Sequence, residues 1–372
     1  MSAHALAHDY KKIEALESIR GIAALLVVFL HIEESNPMLN IRIINNSYLM
    51  VGLFFVLSGY VMCSAYLDKI NTKKDLFRFQ FLRFGRLYPV HIVFLFVYAL
   101  IELVKYVAFI KLGITSSDGI PFKENNVTAF IKNIFLIQAV LPGKAGTFNY
   151  PAWSISVEFY TYLIFGIIIL IFRKTKTQVF IFLSFLSLLM LITHYTFGFA
   201  PILSCFVGFF IGCLIAIVLN KVTITIPSYI SLFIVILLII FLQIKTNPNY
   251  DILIYFITAA LIASIVISPK GLLNKFLNFK PLIWLGTFSY SIYMSHASII
   301  WMVLMIFKFV LRRPVITNII NGKIVRHLSM IDSIIAFFVI VVCVLFISAI
   351  MYIIIEKPLR EKSRSFAFSK IN

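Results

Sequence analysis

The sequence predicts an all-α membrane protein of about ten transmembrane helices, with both termini in the cytoplasm. Of its 372 residues, 61% are hydrophobic and 13% are charged, which is about half the charged fraction of a soluble domain. The apolar residues form ten runs, each close to the length that a membrane-spanning helix needs. The basic residues, which produce a net charge of +18, lie mostly in short loops between these runs.

The ten predicted spans follow one another as a single domain over residues 1–372. They cover residues 16–32, 48–67, 89–110, 153–172, 178–195, 199–219, 229–244, 252–268, 286–309 and 331–355. The longest connection, 111–150, contains a weakly amphipathic piece at 127–140 that is too short to cross a membrane, so we expect it to lie in the interface. In the sixth span, Gly208 and Gly212 form a small-xxx-small pair that predicts close helix packing.

The charges of the loops set the predicted orientation. An even number of spans puts both termini on one side, and that side carries most of the loop cations: Lys11, Lys12, Lys69, Lys73, Lys74, Arg78, Arg173, Lys174, Lys176, Lys270, Lys275, Lys280, Lys357, Arg360, Lys362 and Arg364. The positive-inside rule makes this side of the multi-pass protein cytoplasmic. Such loop cations contact anionic lipid headgroups, and we expect no nucleic-acid partner.

One loop disagrees with this orientation. Arg312, Arg313, Lys323 and Arg326 lie between the ninth and tenth spans, on the predicted outer side. Either that loop binds an anionic partner outside, or one span is miscounted.

Arg83 and Arg86 stand just before Leu87-Tyr88-Pro89 in an aromatic, basic stretch. Their i, i+3 spacing places both guanidiniums on one face of a helix, and paired guanidiniums suit phosphate groups. The alternative is that they only anchor the topology, as cytoplasmic cations commonly do. We expect the stretch to run along the membrane surface and to turn into a spanning helix at Pro89.

Ionisable groups at membrane depth are candidates for function. Arg20 and His31 share the first span, with roughly 16 Å of helix axis between them at 1.5 Å per residue. Arg20 is either a ligand-binding residue or a side chain that snorkels to the headgroups, and His31 is either a base or an interfacial residue.

Glu158, in Trp153-Ser154-Ile155-Ser156-Val157-Glu158, begins the fourth span from the same side on which the first span ends. A histidine held by a carboxylate is a general-base arrangement, so we predict His31 as the base and Glu158 as its partner. Ser154 and Ser156 are alternative nucleophiles, although serines at the start of a span also satisfy backbone groups or pack helices. The four cysteines lie in apolar runs without metal-ligand spacing, so we expect no metal site.

Several motifs, in order along the chain, carry a resemblance to a known family. They are the segment 13–24 (IEALESIRGIAA) with His31, 54–60 (FFVLSGY), 83–89 (RFGRLYP), 153–158 (WSISVE), 288–296 (FSYSIYMSH) and 356–360 (EKPLR). Together they make the chain resemble the acyltransferase-3 family of integral membrane acyltransferases, which contains bacterial polysaccharide O-acetyltransferases. The chain departs from the family pattern at Glu17, Ser18 and Ile19, where the family has Asp and Gly before the arginine.

The resemblance implies an acyltransferase of the bacterial cell envelope. It implies an acyl-CoA donor, usually acetyl-CoA, bound through Arg20, Arg83 and Arg86, and transfer of the acyl group to a hydroxyl of a cell-surface or lipid-linked glycan. No permanently bound cofactor is implied. Many relatives carry an added C-terminal esterase-like domain, which we do not expect here because few residues follow the last span.

Other functions remain as alternatives. A transporter or exporter of a lipid-linked glycan would also need polar residues within a helix bundle, but the chain lacks the internal repeat of many transporters. A non-catalytic scaffold does not explain the three ionisable residues Arg20, His31 and Glu158. The sequence leaves the acceptor hydroxyl, the acyl group and the oligomeric state open.

Overall fold

The computed structural model describes residues 13–33, 36, 39–113, 120–222, 224–268, 271–320 and 323–369, and within this part the chain is almost entirely helical. The α-helices are α1 Glu14–Glu33, α2 Arg42–Asn45, α3 Met50–Tyr66, α4 Lys73–Leu112, α5 Val127–Ile134, α6 Trp153–Ile171, α7 Lys176–Ile192, α8 Ala200–Leu219, α9 Ser228–Ile244, α10 Leu253–Ile267, α11 Leu272–Leu277, α12 Lys280–Thr287, α13 Ser289–Met305, α14 Met330–Met351 and α15 Lys357–Ser369. Short 3-10 helices precede α3, α6 and α10, and π-helical turns extend α13 and α14. Lys11, Lys12 and Lys270 of the predicted cytoplasmic loops lie outside the described residues.

The predicted all-α membrane fold is confirmed. Among the described residues, eight helices are long and apolar enough to cross a membrane. Two shorter apolar helices, α7 and α9, coincide with the fifth and seventh predicted spans. Each of the ten predicted spans therefore corresponds to one helix. The predicted interfacial piece 127–140 is helical only over the eight residues of α5.

One short antiparallel hairpin interrupts the helical pattern. Its strands, β1 Val315–Ile320 and β2 Lys323–Leu328, pair between α13 and α14, with Val315 opposite Leu328. This is the loop whose cations disagree with the predicted orientation. β-Branched residues are frequent in both strands, which favours extended backbone.

The expected turn at Pro89 is wrong. α4 is one continuous helix of 40 residues that contains Pro89, and at 1.5 Å per residue it is about 60 Å long, roughly twice the hydrocarbon thickness of a bilayer. A capping box between Thr72 and Asp75 starts it, and Gly113 in the left-handed conformation ends it. Leu87 and Val90, on either side of the proline, are buried. Tertiary packing therefore holds the helix together where propensity alone favours a break.

The tightest packing in the bundle joins α3 to α8. A Cβ atom added at Gly212 would collide with the carbonyl oxygen of Val56, and one at Gly59 with the carbonyl oxygen of Phe209. At Gly208, an added Cβ would lie 2.8 Å from the Cβ of Phe55. The prediction of close packing at Gly208 and Gly212 is confirmed, because side chains there would push the two backbones apart.

The C-terminal helix α15 packs against the first half of α4. The Arg78 Nε donates a hydrogen bond to the Ala367 carbonyl at 3.2 Å, and the rings of Phe81 and Phe366 are 5.5 Å apart. Gly85 lies against Ser363, whose side chain a Cβ at position 85 would strike. The turn of α4 that carries the predicted arginines is thus supported from behind by α15.

Candidate active site

A polar cavity of about 70 Å³ lies among α1, α3, α4, α6 and α13. Its lining includes all three predicted donor-binding arginines, Arg20, Arg83 and Arg86, and also Glu158. Arg83 and Arg86 both reach it from one face of α4, as their i, i+3 spacing predicted. The three arginines therefore face the inside of the bundle, whereas a snorkelling side chain would point to the headgroups.

The Arg86 guanidinium has no hydrogen-bond or ion-pair partner among the described residues. It lies within electrostatic range of the carboxylates of Glu17, Glu356 and Glu158. A cation held at membrane depth without a direct partner is costly, and such groups mark sites of function. The open face of Arg86 toward the cavity is thus available to an anionic ligand.

Arg83 is held by weak contacts only. Its guanidinium donates to the Met62 sulfur at 3.3 Å and to the Tyr66 hydroxyl at 3.4 Å, and it lies over the Tyr66 and Phe79 rings at 5.5 and 5.8 Å. Its Nε atom is buried without a hydrogen-bond partner. These contacts orient the guanidinium but leave hydrogen-bonding capacity for an anion.

Two further carboxylates, those of Glu17 and Glu356, lie within electrostatic range of Arg86. Arg20 pairs with Glu17 across one turn of α1, with 3.4 Å between Nη1 and Oε1. Glu356, which is 2% exposed, ends the π-helical turn after α14 and accepts a hydrogen bond from Ser291 at 2.8 Å. The acids therefore balance part of the charge of the arginines before a ligand arrives.

Glu158 is the centre of a different cluster. Its Oε1 accepts a hydrogen bond from Ser58 at 2.5 Å and another from the Tyr162 hydroxyl. The Ser58 and Tyr162 hydroxyls are themselves 2.6 Å apart. Glu158 thus accepts hydrogen bonds from hydroxyl groups of α3 and α6, and it lines the cavity together with Tyr162.

His31 contacts a second histidine. Its Nδ1 is 2.8 Å from the Val27 carbonyl and 3.2 Å from the Nε2 of His296 on α13. The ring of Tyr150 lies on another side, with 5.0 Å between the ring centroids. No hydrogen bond joins His31 to Glu158 in the described structure, so the direct pairing expected from sequence is not found. The roles predicted for the two residues stay predictions.

Tyr293 lies between the cavity and the histidine pair. Its side chain lines the cavity, and its ring centroid is 5.9 Å from that of His296, one turn further along α13. Its hydroxyl lies 3.0 Å from the Ser154 Oγ and donates to the Pro151 carbonyl at 3.0 Å. Tyr293 therefore both lines the cavity and contacts His296, which in turn contacts His31.

The two candidate nucleophilic serines differ in their surroundings. Ser156 donates to the Leu136 carbonyl at 2.5 Å and accepts from the Ala139 amide at 3.2 Å, and it is fully buried. This fits the interpretation that it satisfies backbone groups. Ser154 lines the cavity next to Tyr293.

Sequence reasoning assigned no role to Ser58, Tyr162, Tyr293, His296 or Glu356, although all but Tyr162 stand in the quoted motifs. The signal that could have found them is that each polar residue sits in an apolar run. Their partners come from other helices, and sequence spacing does not show which helices are neighbours.

Comparison with known proteins gives the chain a family. The model of the acyltransferase domain (acyltransferase-3) matches residues 13–353. YrhL of Bacillus subtilis, named as a candidate peptidoglycan O-acetyltransferase, is 27% identical over 96% of this chain and 56% of its own length. The O-acetyltransferase OatA of Staphylococcus aureus is 25% identical over 97% of this chain and 61% of its own length.

A third relative, the peptidoglycan O-acetyltransferase OatA of Listeria monocytogenes, is 24% identical over 79% of this chain and 50% of its own length. The chain thus spans between 50% and 61% of the lengths of these relatives. No solved structure matches the chain. Because the family model covers nearly all of the helical bundle described above, the chain belongs to the acyltransferase-3 family.

Proposed function

We propose that this protein is a membrane O-acyltransferase that moves an acyl group, acetyl in our proposal, from cytoplasmic acyl-CoA to a hydroxyl of a cell-envelope glycan. Relatives named as peptidoglycan O-acetyltransferases favour peptidoglycan or a lipid-linked saccharide as the acceptor. We place the protein in the inner membrane, with the start of α1 on the cytoplasmic side and membrane lipids around the bundle.

The observation that carries the proposal is the convergence of Arg20, Arg83 and Arg86 on one cavity, where Arg86 has no direct partner in the part of the chain that the structure describes. CoA is a polyanion, and guanidiniums bind phosphate oxygens through paired N–H groups. In a transporter, the phosphate that joins a glycan to its lipid carrier would be a ligand for the same guanidiniums. The transporter therefore becomes the second candidate, to be separated by experiment.

The proposed reaction needs a base and a way to hold the thioester. The Nε2 of His31 takes the proton of the acceptor hydroxyl while that oxygen attacks the thioester carbonyl. The C–S bond breaks, the sulfur leaves and receives the proton from His31, and the products are an O-acyl ester and free CoA. The alternative is a covalent relay through a serine such as Ser154.

The test is acyl-CoA consumption by the purified protein in liposomes that contain a glycan acceptor. The proposal expects release of free CoA together with a mass increase of one acyl group on the glycan. Movement of unmodified glycan across the membrane without CoA release would instead support the transporter. Intact-protein mass spectrometry with acyl-CoA alone separates the two enzyme mechanisms, since direct transfer leaves no acyl adduct on the protein.

A further inference from the structure

We infer that His296 is a positioning residue that holds His31 in the tautomer whose Nε2 is free to take a proton. The inference rests on the proposed role of His31 as the base. No role for His296 follows from sequence spacing, because it lies on α13, far from α1 along the chain.

The contacts of His31 decide where its proton lies. A backbone carbonyl only accepts hydrogen bonds, and the Val27 carbonyl is 2.8 Å from the His31 Nδ1. This carbonyl favours a hydrogen on Nδ1 in a neutral ring, and a second acceptor beside Nδ1 favours it further. The other nitrogen, Nε2, then holds the lone pair that a general base needs.

The contacts of His296 point to the complementary tautomer. Its Nε2 is 3.2 Å from the His31 Nδ1, which is a donor, so the Nε2 must accept. The hydrogen of a neutral His296 then lies on Nδ1, which is 3.3 Å from the Ile292 carbonyl. Each ring therefore donates through Nδ1 to a carbonyl of its own helix. The Nδ1–H of His31 also donates to the Nε2 of His296, so it is shared between α1 and α13.

The surroundings prevent His296 from turning away. The side chain is fully buried. Its Nδ1 is 3.3 Å from the Ile292 carbonyl, and its ring lies beside that of Tyr293, with 5.9 Å between the ring centroids. A fixed acceptor at the Nδ1 of His31 keeps its ring plane and tautomer constant.

A buried imidazole takes here the place that a carboxylate has in catalytic triads. No carboxylate forms a hydrogen bond with either ring in the described structure. When His31 takes the hydroxyl proton, its Nδ1–H becomes a charged donor to His296, and charge-assisted hydrogen bonds are shorter and stronger than neutral ones. The contact thus strengthens as the transition state forms.

Two variants separate positioning from packing. His296→Leu keeps a buried side chain but removes the acceptor, and we expect it to lower kcat by about 10- to 100-fold without changing the KM for acyl-CoA. His296→Gln offers an amide oxygen near the position of Nε2, and we expect it to recover most of the loss. Equal loss in both variants, or no loss in His296→Leu, would overturn the inference.

His91→Leu is the matched control. His91 is also a fully buried histidine, bound through Nε2 to the Asn133 carbonyl at 2.9 Å, but it does not contact His31. We expect its kcat to stay within about threefold of the wild type. An equal fall of kcat in His91→Leu and His296→Leu would show a general effect of losing a buried imidazole.

A spectroscopic test does not depend on turnover. In protein labelled with ¹⁵N in its histidine rings, the resonances that disappear in His31→Ala report the tautomer of His31. We expect protonated Nδ1 in the wild type and a mixture of tautomers in His296→Leu. Protonated Nε2 in the wild type would refute the inference. If His31→Ala retains full acyl-transfer activity, the proposed role of His31 as the base fails, whatever the tautomer; if the wild type releases no CoA, the proposed function itself fails.

Discussion

Replacing Arg86 tests the proposed donor site most directly. Arg86→Lys keeps the charge but loses the planar pair of N–H donors, whereas Arg86→Gln loses the charge. A hydrogen bond to a charged group contributes about 1.5–3 kcal/mol, so we expect acyl-CoA affinity to fall roughly 10-fold for lysine and up to about 100-fold for glutamine. Because Arg86 has no hydrogen-bond or ion-pair partner among the described residues, its replacement breaks no direct contact there and these losses reflect the ligand.

The assay is equilibrium binding of acyl-CoA to purified protein, with initial rates measured in parallel. The matched control is Arg173→Lys. Arg173 is an exposed residue outside the cavity that donates to the Asn71 carbonyl at 2.5 Å, and we expect no change there. Lysine at both Arg83 and Arg86 with affinity within twofold of the wild type would show that the arginines only anchor the topology.

Arg86 also neutralises nearby acids, and this second effect must be separated. Without Arg86, the carboxylates of Glu17 and Glu356 lose their shared cation. If this loss of neutralisation were the cause, Arg86→Gln would weaken acyl-CoA binding by displacing the two carboxylates. The double variant Arg86→Gln with Glu356→Gln would then restore the binding. We expect no restoration, since phosphate binding needs the guanidinium itself.

Other predictions follow from the same geometry. His31→Ala should abolish acyl transfer and leave acyl-CoA affinity within about twofold, because the three arginines line a cavity whose lining does not include His31; a parallel loss of binding would contradict the separation. In a cysteine-free background, Lys123→Cys should react with an impermeant thiol reagent from outside and Asn71→Cys should not, and the reverse pattern would invert the orientation. Gly212→Ala should lower stability by about 1–3 kcal/mol in thermal unfolding through overpacking, whereas Gly146→Ala, whose Cβ meets its nearest neighbour at an ordinary 3.5 Å, should not.

Most of the fold could be predicted from the sequence because hydrophobic length is a strong signal in a membrane. The helices and the glycine packing of α3 on α8 are direct consequences of apolar runs and small residues. Pro89 shows the limit of local reasoning. Its propensity to break a helix is overridden by burial of Leu87 and Val90, which depends on helices distant in the sequence.

The candidate site was predictable in its residues and less so in its pairings. Arg20, Arg83, Arg86 and Glu158 do line one cavity, since each is an ionisable group placed at membrane depth. The partner of His31 could not be predicted. His31 and Glu158 lie at helix ends on the same predicted side of the membrane, but this does not give the distance between the two helices within the membrane plane. Contact across a bundle depends on which helices are neighbours. In the structure His31 contacts His296 of α13 and forms no hydrogen bond with Glu158 among the described residues.

The first helix, α1, also fixes the distance that the acyl donor must span. Arg20 and His31 belong to one continuous α-helix, so their separation of roughly 16 Å along its axis is fixed and no closure of the bundle shortens it. A donor held by phosphate at one end must therefore extend its acyl group to the other. CoA has a flexible pantetheine arm between its phosphates and its thioester, whereas acetyl phosphate carries both groups side by side. The fixed spacing should thus prevent small acyl phosphates from acting as donors, although they also carry a phosphate group and can carry the same acyl group.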